Sequence, residues 1–117
     1  QQTMTDAEFT EALRKALDPV LPYGPSLLPL DILVVVATAN HAGQPITMKE
    51  LIVVLPYSAT GIRYNLAQLI ADGWIVKTQH PLDRRLVNLL PSERVAIAFS
   101  EVRAALLSTM DDVGDAS

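Results

Sequence analysis

Apolar residues recur at helical spacing along much of this chain, give way to a β-branched run after Gly73, and are interrupted where proline or glycine falls. The first helical stretch carries Phe9, Leu13, Ala16 and Leu17. It opens with Thr5 and Glu8, three residues apart, a pair in which each side chain satisfies the other residue's backbone N–H as a capping box. The helix should stop before Pro19, because proline drives its predecessor out of the helical region. Pro19, Pro22, Pro25 and Pro29 then mark an irregular connector over 18–29. Over 30–40 the pattern is nearly continuous and ambiguous. Val34, Val35 and Val36 suit a buried strand, while the length of the run suits a buried helix. Gly43 is a left-handed terminator in either case, and we read the segment as a helix.

The following segment is better punctuated. Thr47 and Glu50 form a second capping box, which opens a short helix from Met48 to about Leu55, and Pro56 ends it. Ser58 is an N-cap for the next helix and Gly73 the residue just past its end. Within it Ile62, Leu66, Leu69 and Ile70 make one apolar stripe, and the opposite face offers Thr60, Gly61, Arg63, Tyr64 and Gln68. Two helices joined by a few residues, the second polar on one side, make a helix-turn-helix. After Gly73, residues 74–78 and 85–90 read as two strands of a hairpin joined by 79–84, with Arg84 and Arg85 near its base and Trp74 in the core beneath it. Ser92 then caps a last helix carrying Val95, Ala98, Phe99, Val102, Leu106 and Leu107, and the tail from Asp111 is expected to fray. This order predicts a mainly α chain with a small β-hairpin (α+β class), a winged helix-turn-helix over 30–91. An N-terminal helix and connector (1–29) and a C-terminal helix and tail (92–117) flank it.

Length and composition narrow the chemistry. A chain of 117 residues holds one domain and little more, and with half its residues hydrophobic it has the apolar surface to fold. There is no cysteine and there are two histidines, which excludes a disulfide framework, zinc ribbons and thiol catalysis; no metal and no cofactor is expected. The longest apolar stretch, 27–39, is broken by Pro29 and Asp31 and is too short to span a bilayer, so no membrane partner and a cytoplasmic location are expected. The chain starts at Gln1 rather than Met, the expectation being a trimmed chain. With no glycine-rich phosphate loop, nucleophile elbow or paired carboxylates, the chain does not read as an enzyme. The net charge of −4 argues against a nucleic-acid partner until it is divided. Residues 47–90 hold five cations against three anions, and the acidic excess lies outside them. Phosphate binding needs local positive potential, not a basic total.

The stretch His80-Pro81-Leu82-Asp83-Arg84-Arg85 is similar to the wing signature Asp-Pro-any-Asp-Arg-Arg of the MarR-type regulators, and Leu69, Gly73 and Ile75 fit that family's pattern at the end of its recognition helix. The chain resembles this family over roughly 30–92. The resemblance implies a transcriptional regulator that binds double-stranded DNA as a homodimer, with the first and last helices at the dimer seam and a small-molecule effector as a further partner. Carried over by position, Ser58, Thr60, Arg63, Tyr64 and Gln68 would face the major groove, and Arg84 and Arg85 would serve the wing with Asp83 orienting an arginine. The chain departs from the family at His80, which replaces an acid, at Pro91, which replaces Leu, and at Tyr64 and Gln68, where arginine is common. Two plainer readings stand beside this one. Arg84 and Arg85 can be read as solvated hairpin charges, the less favoured reading because motif and helix order agree on DNA contact, and Arg63, Tyr64 and Gln68 equally well as an ordinary exposed helix face. A winged helix used for protein–protein contact, without DNA, is the alternative function.

Overall fold

The computed structural model describes residues 5–21, 23–24 and 26–115, with side chains as far as Met110. Pro22 and Pro25 of the expected connector lie outside the described residues. The element order is α1 (Asp6–Ala16), a 3-10 helix (Asp18–Val20), α2 (Leu28–His41), β1 (Ile46–Thr47), α3 (Met48–Val54), α4 (Ala59–Ala71), β2 (Ile75–Gln79), β3 (Val87–Pro91) and α5 (Glu93–Asp115).

Both capping boxes form. Thr5 Oγ1 accepts the Glu8 N–H and Glu8 Oε1 the Thr5 N–H, each at 3.1 Å, and Thr47 and Glu50 repeat the exchange at 3.2 and 3.0 Å. The ambiguous apolar run is α2, and it starts at Leu28, two residues earlier than expected. Pro29 is tolerated there because the first-turn N–H groups have no intrahelical acceptor to lose. Ile32, Leu33 and Val36 of α2 are fully buried while Val34 is exposed, a burial spacing that a strand could not produce. They meet Leu51 of α3, Ile62, Leu66 and Leu69 of α4, Leu89 of β3 and Val95 of α5 in one core. Val20 of the 3-10 helix is also fully buried, so the connector is fastened to the core rather than draped over it.

The hairpin differs from expectation in three respects. It belongs to a three-stranded antiparallel sheet of order β1-β3-β2, in which Ile46 pairs with Leu89 and Thr47 with Asn88. Its own register runs from Ile75 opposite Pro91 to Gln79 opposite Val87, so both strands sit later than the sequence suggested. The His80 N–H continues the ladder to the Leu86 carbonyl at 3.0 Å. Arg84 and Arg85 therefore lie in the loop at the far end of the hairpin, not at its base. Trp74 is core beneath the sheet, as expected.

α1 packs on α5 and on the 3-10 helix, away from the sheet. The molecule is elongated, 59 × 26 × 23 Å, with a radius of gyration of 16.8 Å. A compact chain of this length would have about 13 Å. Phe9 and Leu107 stay exposed on this arm, at 48% and 49%, and are not taken into the chain's own core. α5 continues as helix to Asp115, past the expected fraying at Asp111. Among the described residues no helix is long and apolar enough to cross a membrane, and no cluster of His, Asp or Glu could hold a metal ion.

Candidate nucleic-acid interface

The shape of α4 follows from its two ends. Ser58 Oγ accepts the Gly61 N–H at 3.0 Å and starts the helix. Gly73, with φ of 80°, ends it in a left-handed turn in which the Trp74 N–H reaches the Leu69 carbonyl at 2.9 Å and the Gly73 N–H the Ile70 carbonyl at 3.1 Å. Ile62, Leu66 and Leu69 are buried, and Thr60, Arg63, Tyr64 and Ala67 form a continuous outward stripe at helical spacing. Not every residue proposed from the sequence stands on it. The Ser58 hydroxyl is engaged in the cap, and Gln68 is half-buried, with its amide donating to the Tyr64 hydroxyl at 3.1 Å. Gly61 is turned inward, where a Cβ would stand 3.0 Å from Ser58 Oγ and 3.7 Å from Leu28. Ala67 was missed by reasoning from polarity. Its position seven residues after Thr60 and four after Arg63 was the available signal.

The hairpin loop is built on one carboxylate. Asp83 Oδ1 accepts from the Arg85 backbone N–H at 3.0 Å and from Arg85 Nε at 3.1 Å, while Oδ2 accepts from Arg85 Nη2 at 3.1 Å. These bonds from Arg85, the side-chain ones foremost, hold the Asp83 carboxyl below the usual carboxylate range. The Arg85 side chain remains 89% exposed, so it is oriented without being covered. Arg84 is exposed, and its side chain has no hydrogen-bond or ion-pair partner among the described residues; only its carbonyl is used, by the Gln79 amide at 3.4 Å. His80 Nδ1 accepts the Leu82 N–H at 3.1 Å. Histidine thus fills here the local acceptor role that an acid would serve at a turn.

Between α3, α4 and this loop lies a cleft of about 430 Å³ whose walls include Lys49, Arg63 and Arg85 together with Ile52 and Val53. The adjacent helices α3 and α4 and the later hairpin loop thus bring three cations to one depression. Lys49 had no motif to mark it. Its only sequence signal was membership of the basic window.

Behind α4, directional bonds tie the helix to its neighbours. The Tyr23 hydroxyl donates to Asp72 Oδ2, and Arg94 Nη1 donates to the Asp72 carbonyl at 2.7 Å. The Arg94 guanidinium lies 4.1 Å over the Trp74 ring, and Ser92 Oγ donates to the Gly73 carbonyl at 2.6 Å. Burial, then the Asp72 carboxylate, pushes the Tyr23 hydroxyl up to about 12. Tyr57, at the other end, donates to Asp31 Oδ2.

A helix pair with an exposed stripe on its second member, a three-stranded sheet and an ordered hairpin loop make a winged helix. The chain matches the MarR family over residues 24–86, which takes in α2, β1, the helix pair, β2 and the whole hairpin loop. The chain belongs to the MarR family. The MarR fold is also found in solved structures. The transcriptional regulator Tm0710 from Thermotoga maritima superposes with a TM-score of 0.72 at 19% identity, over 93% of this chain and 75% of its own. RV1404 from Mycobacterium tuberculosis gives 0.73 at 16%, over 92% and 70%. A mutant MarR from E. coli complexed with operator DNA gives 0.60 at 19%, over 84% and 68%. At these identities the likeness establishes the fold. No curated protein matches the chain significantly.

Proposed function

We propose that this chain is a DNA-binding transcriptional regulator that acts as a homodimer in the cytoplasm, without catalytic activity. In this reading α4 enters the major groove and the hairpin is a wing beside it. The observation that carries it is the convergence of Lys49, Arg63 and Arg85 on one cleft at the edge of the α4 stripe. That is the local positive potential a phosphate path requires in an otherwise acidic chain. Thr60, Arg63 and Tyr64, with Gln68 bracing Tyr64, meet base edges and phosphates, and the Ala67 methyl suits a thymine methyl. Ser58 acts through the cap that exposes α4. Arg84 and Arg85 serve the adjacent backbone or minor groove, with Asp83 fixing the Arg85 fork. Membership of the MarR family and the operator complex of the E. coli relative support the same reading.

In this reading 30–91 reads DNA, while 1–29 and 92–117 pair with a second copy. Phe9, Ile97, Leu107 and Met110, each about half exposed or more on the arm, supply the apolar seam. For a small-molecule effector the candidate place is the open groove of about 690 Å³ between α1 and the connector, lined by Leu13, Leu17, Leu21 and Leu27.

Binding of a mixed-sequence duplex at low and high salt, followed by mass in solution with and without DNA, tests this. Binding that weakens steeply as salt rises is expected. The rival reading, a winged helix that contacts protein only, is favoured by Val53 and Val54, exposed at 78% and 57% on α3. Absence of any DNA binding at low ionic strength decides for the rival.

A further inference from the structure

α4 meets the rest of the chain mainly through Ile62, Leu66 and Leu69, and an apolar seam resists separation far better than it resists sliding, since its contacts are weak singly and non-directional. Directional bonds at both ends remove that freedom. At the start, Tyr57 precedes the N-cap Ser58 and donates to Asp31 of α2 at 2.5 Å. At the finish, Asp72 is the C-cap, and both of its polar ends are held from outside the helix. Tyr23, from the connector, takes the carboxylate at 2.5 Å, and Arg94, from the first turn of α5, takes the backbone carbonyl at 2.7 Å. Arg94 is itself seated over Trp74. Neither Tyr23 nor Arg94 belongs to the outward stripe or to the hairpin loop. The connector and α5 thus grip the end of the one helix whose placement a base-edge contact would demand to within tenths of an ångström.

We propose that Tyr23, Asp72 and Arg94 form a clamp that sets the pose of α4, making Tyr23 a positioning residue for sequence readout although it lies 49 residues from its partner. The proposal rests on the DNA-binding reading. Loss of the clamp leaves every cation of the phosphate path in place, so it should impair discrimination between sequences and spare the sequence-independent attraction.

The test uses the full chain to enrich duplexes from a random pool, then compares affinity for the enriched duplex and for mixed-sequence DNA, at a temperature where circular dichroism reports every variant folded. Tyr23→Phe is expected to weaken the enriched duplex about fivefold, the factor one net hydrogen bond commands, with mixed-sequence affinity and salt slope unchanged. Asp72→Asn keeps an oxygen for the Tyr23 hydroxyl and should retain the ratio of the two affinities. Asp72→Ala should reproduce Tyr23→Phe, and the double variant should be no worse than either. A bond that merely stabilised the fold would lower the melting temperature and leave the ratio alone. An unchanged ratio in Tyr23→Phe, or Asp72→Asn as damaging as Asp72→Ala, overturns the clamp while leaving the DNA reading intact. A wild-type chain that enriches no duplex overturns both.

Discussion

Arg84→Ala removes one cation from the far end of the hairpin while leaving the bonds that shape the loop. Those bonds run between Asp83 and Arg85, His80 and Leu82, and His80 and Leu86; Arg84 contributes only its carbonyl, which alanine keeps. If Arg84 meets a phosphate, each copy of the chain loses one contact. Each neutralised phosphate contributes about 0.9 to the slope of log affinity against log salt, so a dimer loses about 1.8 and a single chain about 0.9. Over a rise from about 50 to about 200 mM salt, the wild-type advantage over the variant then shrinks about twelvefold for a dimer and about 3.5-fold for a single chain. Fluorescence anisotropy of a labelled duplex at several salt concentrations reads both numbers, and so reports stoichiometry as well as contact. Arg85→Ala supplies the contrast, since it also strands the Asp83 carboxylate beside the duplex and should weaken binding more at low salt. A variant slope parallel to the wild type refutes phosphate contact by Arg84.

Other outcomes are expected. Arg63→Ala and Gln68→Ala should shift the sequences enriched from a random pool, and an unchanged preference in both removes them from base readout. Leu66 is fully buried on the inner face of α4, so Leu66→Ala should cost about 2–5 kcal/mol in a urea unfolding series; a loss under about 1 kcal/mol would contradict its place in the core. Tyr23 holds its proton more tightly folded than unfolded, its hydroxyl standing near 12 against an ordinary 10.0. Its contribution is complete below about pH 10 and is lost as pH climbs through about 12. The stability gap between wild type and Tyr23→Phe should therefore be flat from neutral pH to about 10 and close above it; a gap that widens above pH 10 contradicts the assignment.

The helix boundaries near the site were legible because caps are short-range chemistry. Thr47 with Glu50, Ser58, and Gly73 each settle a terminus with partners at most a few residues away. The 30–40 run was not decidable locally, since its composition satisfies strand and helix alike; burial of Ile32, Leu33 and Val36 on one side settles it, and that is a tertiary fact. β1 left no mark, because two residues have no periodicity and their partners, Asn88 and Leu89, come much later in the chain. The site divides the same way. The Asp83–Arg85 fork could be read from a six-residue motif, whereas the meeting of Lys49 with Arg63 and Arg85, and of Tyr23 with Asp72, depends on contacts that no local pattern encodes.

Thr47 belongs to two elements at once: it pairs with Asn88 in the sheet and caps α3. The hairpin is therefore stitched to the helix pair and cannot swivel without breaking one or the other. On the DNA-binding reading, accommodation to a mismatched groove falls to the nucleic acid. Sites rich in easily kinked pyrimidine–purine steps should be favoured even at base pairs no side chain reaches. Equal affinity for duplexes differing only in the stiffness of such untouched steps would contradict this.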